Sequence, residues 1–148
     1  MDRVIERHVR TATTNDFEQL ITLLQTENLP TEDISRELSH FFVIAEAGNI
    51  IGAIGLELYG KNGLLRSLIV DRYYRNQSLA SILLDALLVY AAKQGINSLY
   101  LITTTAEKYF ARKTFTVISR ALIPLSISSS REFSTLCPAT ATVMLKNI

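Results

Sequence analysis

The chain has 148 residues, 48% of them hydrophobic and 20% charged, with a formal net charge of +1. That composition fits one globular domain over residues 1–148 and excludes a disordered chain; the near-neutral balance argues against nucleic acid as a partner. The single cysteine, Cys137, excludes an internal disulfide and argues against a cysteine-based zinc centre. The opening MDRVIERHVR is charged from its second residue and no apolar run approaches a membrane span, so the expected setting is cytoplasmic, with no membrane partner.

Residues 4–11 hold a short first strand. Thr13, Thr14, Asn15 and Asp16 offer helix caps, and Phe17, Leu20, Ile21 and Leu24 follow at helical spacing. Pro30 ends that helix, and Thr31 opens a second, short and polar, over TEDISREL. Phe41–Ala47 reads as a strand, Gly48-Asn49 as a tight turn and Ile50–Leu58 as the return strand. Gly60–Gly63 is the next turn and Leu64–Val70 a third strand, giving an antiparallel meander. Leu79, Ile82, Leu83, Ala86, Leu87, Tyr90 and Ala91 mark a long helix, widened by Leu84 and Leu88 and capped by Gly95.

Ser98–Ile102 is a strand that follows a strand-to-helix crossover, so it should run parallel to the third strand. Thr104 or Thr105 caps a helix over AEKYFARK. Phe115–Ile123 reads as a strand broken by Pro124, residues 126–138 as a polar segment with a short helix around Glu132, and Thr140–Leu145 as the last strand. The expected fold class is α/β (α+β): a mixed, mostly antiparallel central sheet with helices on both faces.

The segment from Leu64 to Ala91 is the most informative. An apolar strand feeds a helix N-terminus through Arg75, Asn76, Gln77, Ser78, Leu79 and Ala80. Backbone N–H groups at such a junction make a phosphate cradle, assisted by the helix dipole. Glycines usual in such loops are absent here. Asn76 tolerates positive φ, and Ser78 is small enough to cap or donate. A capped strand–turn–helix without a ligand satisfies the same spacing.

This order of elements resembles the GCN5-related N-acetyltransferase (GNAT) family over nearly the whole chain. The family's loop, (Gln/Arg)-x-x-Gly-x-(Gly/Ala), is matched by Arg75 and Ala80, with Ser78 where glycine is preferred. Its downstream pattern, Asn-x-x-Ala-x-x-(apolar)-Tyr-x-x-x-Gly-Phe, is matched by Ala106 and Phe115, with Thr103, Phe110 and Thr114 at the Asn, Tyr and Gly positions. The text Leu65-Arg66-Ser67-Leu68, residues 101–105, and Arg131-Glu132-Phe133 with Leu136-Cys137-Pro138-Ala139 look like a subgroup found with arsenic-resistance genes.

The resemblance implies an acyl-CoA N-acyltransferase fold that moves an acetyl group from acetyl-CoA to a small amine, plausibly amino-acid-like, directly in a ternary complex. It implies cofactor contacts from Leu68, Ile69 and Val70 to the pantetheine arm, from the loop 75–80 to the phosphates, and from Thr103 and Phe110. Phe110 stands where the family often has a tyrosine that protonates the departing thiolate, so plain packing is its expected role, with Thr104 or a water as donor or the thiolate leaving unassisted. Glu57, more than Glu46, is the candidate base. Arg66, Ser67 and Arg131 are candidates for the acceptor; Arg66 suits either a carboxylate- or arsonate-like anion or a structural ion pair. His8 and His40 have no metal or triad spacing. A homodimer through the C-terminal region is implied. Alternatives are a catalytically weak acyl-CoA sensor, favoured by Ser78 and Phe110, and a protein acetyltransferase, disfavoured by the apolar 117–127 stretch.

Overall fold

The computed structural model describes residues 8–131, 133 and 138–148. Its strands are β1 (Arg10–Thr11), β2 (Phe41–Glu46), β3 (Asn49–Tyr59), β4 (Asn62–Val70), β5 (Ser98–Thr103), β6 (Thr116–Val117) and β7 (Thr142–Asn147). The helices are α1 (Phe17–Gln25), α2 (Leu79–Lys93), α3 (Glu107–Arg112) and α4 (Leu125–Ser128) among the described residues. The strands follow the order β1-β2-β3-β4-β5-β7-β6 in a seven-stranded sheet. Pairing is antiparallel at β1–β2, β2–β3, β5–β7 and β6–β7, and parallel at β4–β5, where Asn62, Gly63 and Leu64 face Ser98, Leu99 and Tyr100. The expected mixed sheet with its parallel step is what forms.

Two compact units are present. One takes the described residues up to Leu56 together with Ser67–Tyr90; the other takes Glu57–Arg66 and the described part of Ala91–Ile148. In the first, Leu20, Leu23 and Leu24 of α1 bury with Phe41, Val43, Ile50, Ala53 and Ile69. The amphipathic spacing of α1 explains that burial. In the second, Leu64, Tyr100 and Ile127 bury together, with Tyr59, Ile118, Ile123, Phe133 and Leu145 packed around them.

Several expectations shift. TEDISREL forms successive turns instead of a helix, closed by Ile34 N–H to Thr31 O and Leu38 N–H to Ser35 O. The Ser35 hydroxyl accepts the Glu37 N–H, offering the backbone a competing local bond, and Leu38 (φ +50°) leaves helical space altogether. Ile34 and Leu38 still reach the core. The β2–β3 loop is Ala47-Gly48, one residue earlier than expected, with both residues at positive φ as a type I′ turn requires.

The strand expected over 115–123 is cut to Thr116–Val117. Ser119 accepts the Ala121 N–H and starts a 3₁₀ turn over Arg120–Leu122, and Val117 and Leu122 point outward. The residues from 4 to 7, Glu132 and Cys137 lie outside the described residues. The C-terminus of α2 is as expected: Gly95 (φ +82°) and Ile96 send their N–H groups back to Ala92 and Ala91, a Schellman closure.

Candidate active site

The loop before α2 belongs to the first unit. Asp71 accepts the Tyr73 N–H and starts a tight turn over Arg72–Tyr74. Asn76 (φ +63°) and Ser78 (φ +63°) then both adopt left-handed backbone, the conformation glycine usually supplies. The Ser78 carbonyl accepts the Ile82 N–H, so α2 begins directly after it. The first-turn N–H groups of a 15-residue helix have no acceptor within that helix. Loop shape and helix start thus fit a phosphate-bearing ligand, although no glycine is present.

The side chain of Arg75 is engaged elsewhere. Its guanidinium pairs with Glu27, and its Nε donates to Val70 O at 3.3 Å. Gln77 is half-buried, Leu79 is buried and Ala80 half-buried. An open groove of about 870 Å³ lies among α1, the start of β3 and Asp71–Tyr74. Its charged lining is acidic, from Glu18 and Asp71, so its field disfavours phosphates. Elsewhere in this unit Arg10 pairs with Asp16 through two bonds of 2.8 and 2.9 Å. The Arg10 guanidinium holds the Asp16 carboxyl below its ordinary value, against the opposing effect of burial.

On β4, Ser67 is buried and takes φ +58°, a break in otherwise extended backbone. Non-glycine residues in that region are strained, and such strain collects at functional positions. Leu68, Ile69 and Val70 follow directly, with Ile69 buried and the other two half-buried.

The second unit holds a polar cluster in an otherwise apolar setting. The Arg66 side chain is only 3% exposed, and its Nη1 lies 3.7 Å from Glu57 Oε2. The Tyr59 hydroxyl donates to Glu57 Oε1 at 3.2 Å. Residues i and i+2 of a strand share a face, so β3 presents Glu57 and Tyr59 together. Burial first, then the Glu57 charge and hydrogen bond, push the Tyr59 phenol up to about 12. The structure therefore gives Arg66 its ion-pair role, while 27% of the Glu57 side chain stays open.

On the downstream segment, Thr103 Oγ1 accepts the Ala106 N–H at 2.9 Å in the turn before α3, whose N-cap is Ala106 with no side-chain cap, so neither Thr104 nor Thr105 caps the helix. Thr104 is exposed. Phe110 is buried, edge-on to Phe115 and Tyr109, the packing role expected for it. Arg131 is exposed, His40 bonds the Tyr90 hydroxyl, and His8 lies on the surface. Among the described residues no cluster of His, Cys, Asp and Glu could hold a metal, and no helix is long and apolar enough to cross a membrane. Sequence reasoning missed Tyr59, whose signal was its i+2 spacing from Glu57. It also missed the left-handed Ser67, which carries no signal in residue type.

Residues 5–116 match the acetyltransferase (GNAT) family model, and the chain belongs to that family. The family is one of acetyltransferases, and solved structures with a similar fold hold coenzyme A. An amino-acid acetyltransferase of Pasteurella multocida is 28% identical over 125 residues, 78% of this chain; the chain spans only 28% of that relative's length. Rv2747 of Mycobacterium tuberculosis, solved in complex with CoA, has a similar fold: TM-score 0.79, 20% identity, covering 95% of this chain and 98% of that one. N-acetylglutamate synthase of Neisseria gonorrhoeae, complexed with coenzyme A and N-acetyl-glutamate, superposes with TM-score 0.81 at 18% identity, over 99% of this chain and 36% of that one.

Proposed function

We propose that the acceptor is a small amine of the amino-acid type, acetylated by direct transfer in a ternary complex. The observation that carries this reading is Glu57: a carboxylate held beside Arg66 and Tyr59 on a side chain that stays 27% exposed. The similarity to an amino-acid acetyltransferase supports the same acceptor class.

When bound, acetyl-CoA supplies an acetyl group activated as a thioester. Backbone N–H groups of the loop 75–80 and the start of α2 would hold its phosphates, assisted by the helix dipole. The backbone of Leu68, Ile69 and Val70, beyond the break at Ser67, would face its pantetheine arm and thioester. Glu57 orients the acceptor's ammonium and takes up one proton, directly or through a water, so that the amine meets the thioester neutral. Arg66 keeps the carboxylate charged between turnovers. Arg131, exposed in the same unit, is the side chain proposed to meet an acceptor's carboxylate. Thr103 orders the turn before α3; since Phe110 has no proton to give, the proton shed by the attacking nitrogen would pass to the departing thiolate through the Thr104 hydroxyl or a water.

Val117, Leu122 and Leu125 are 57%, 72% and 79% exposed beside the terminal strand β6, which supports a homodimer through this region. Light scattering on the purified chain reads its mass directly. The acceptor is tested by thiol release from acetyl-CoA with free amino acids, an arsenic-bearing amino-acid analogue suggested by the subgroup resemblance, polyamines and peptide N-termini. Turnover on a free amino acid or its analogue is expected. Turnover on peptides alone would shift the reading to protein acetylation, and coenzyme A binding without turnover on the whole panel would shift it to a sensor.

A further inference from the structure

The second unit contains a hydrogen-bond chain that reaches Glu57 from far along the sequence. The Phe133 N–H donates to Ser130 Oγ at 3.3 Å. Ser130 is buried and bonds the Tyr59 hydroxyl; the single hydroxyl hydrogen of Tyr59 goes to Glu57, so Ser130 is the donor. Tyr59 in turn donates to Glu57 Oε1. Every donor therefore points the same way, toward the carboxylate, and bonds aligned in this sense polarise one another. The segment that supplies Ser130 and Phe133 is itself anchored: Arg120 lies 5.0 Å over the Phe133 ring and donates to Pro138 O and Ala141 O.

We propose that Tyr59 and Ser130 are positioning residues for acetyl transfer, fixing the orientation and charge of the Glu57 carboxylate through this chain. The inference rests on Glu57 acting on the acceptor, as proposed above. Glu57 is faced by Arg66 from β4, by Tyr59 from its own strand and, through Tyr59, by the Ser130 hydroxyl that follows α4. Arg66 supplies charge but leaves Oε1 to Tyr59. Removing the Tyr59 hydroxyl withdraws a donor that favours the ionised form, so the carboxylate binds its proton more tightly.

The test is the pH profile of kcat for the full chain, at saturating acetyl-CoA, with the best acceptor of the panel. Because the acceptor is constant, a change in the acid limb between variants belongs to the protein. Glu57→Gln tests the underlying reading: it is expected to abolish the acid limb and cut kcat at least tenfold. If it leaves both unchanged, Glu57 is not the acting carboxylate and the positioning role falls with it. With Glu57→Gln behaving as expected, Tyr59→Phe should move the acid limb up by about 1 pH unit while the KM for acetyl-CoA stays within twofold. Ser130→Ala, a milder change one bond further back, should move the limb in the same direction by less. It decides the matter alone if Tyr59→Phe does not fold. A lower unfolding temperature with an unmoved acid limb in both variants would show a purely structural role and overturn the proposal.

Discussion

Replacing Arg66 by methionine keeps much of the side chain's volume and removes its charge. The guanidinium is 3% exposed and sits 3.7 Å from Glu57 Oε2. At an effective dielectric of about 20, two unit charges at that separation attract by roughly 4.5 kcal/mol before desolvation is counted. Breaking a fully buried pair from one side costs about 3–5 kcal/mol, mostly because the remaining charge is stranded. Glu57 is 27% exposed, so water takes over part of the task and the expected loss is nearer 2–3 kcal/mol, or about 5–10 °C in Tm for a chain of this size. The double variant Arg66→Met/Glu57→Gln strands no charge and should recover about 1–2 kcal/mol of that loss. Equilibrium urea unfolding of the four proteins measures both numbers. The reasoning is refuted if Arg66→Met lies within about 0.5 kcal/mol of wild type, or if the double variant is as unstable as the two single losses added.

Gly55→Ala should cost about 1–3 kcal/mol, read by thermal unfolding, because the new methyl would sit 2.6 Å from Phe41 Cε2 in a closed core. Asp16→Asn should cost about 1 kcal/mol at pH 7, since Arg10 is partly exposed and screened. The Asp16 carboxyl is held below its unfolded value, so its contribution is present above about pH 4 and fades as the pH falls further; the wild type and Asp16→Asn should converge in acid. Tyr59 behaves in the opposite sense: with its phenol raised to about 12, its contribution is whole below about pH 10 and is lost between there and 12, a decline that Tyr59→Phe should not show. Ser78→Gly relieves a left-handed residue and should raise Tm by up to about 3 °C without weakening acetyl-CoA binding by calorimetry, whereas Ser78→Val should lower both.

The elements with strong periodicity were legible from the sequence. The apolar face of α1, the wide stripe of α2 with Gly95 behind it, and the parallel return of β5 all follow from residue spacing and chain handedness. Failures came where local bonding decides. Over 31–38 only Ile34 and Leu38 need burial, and a chain of turns buries both as well as a helix would. Beyond Val117 the Ser119 hydroxyl ends the strand.

The loop was legible in type and not in detail. Asn76 adopts the backbone foreseen for it, but nothing near Arg75 in sequence announces Glu27 as its partner, 48 positions away. Arg66 was open between two roles, and only the folded chain puts its guanidinium on Glu57. Ser130 could not have been found at all: its partner Tyr59 is remote in sequence, and serine carries no pattern of its own.

The order β5-β7-β6 has a consequence for biosynthesis. Strand β7 lies between β5 and β6, and its register joins Ser98 to Asn147 and Thr103 to Thr142. β6 pairs with β7 and so gains a place in the sheet only after β7 has been made. While the chain grows, the outer edge of β5 waits for a partner some 40 to 50 residues downstream. At ordinary translation speeds that wait is roughly 2–10 seconds, with a largely apolar strand edge open to other chains. The β2–β3 hairpin, closed by two residues, has no such delay. Yield of the folded protein should therefore respond to elongation rate and to chaperones that shield strand edges, and a slow-codon stretch placed between β5 and β7 should lower it.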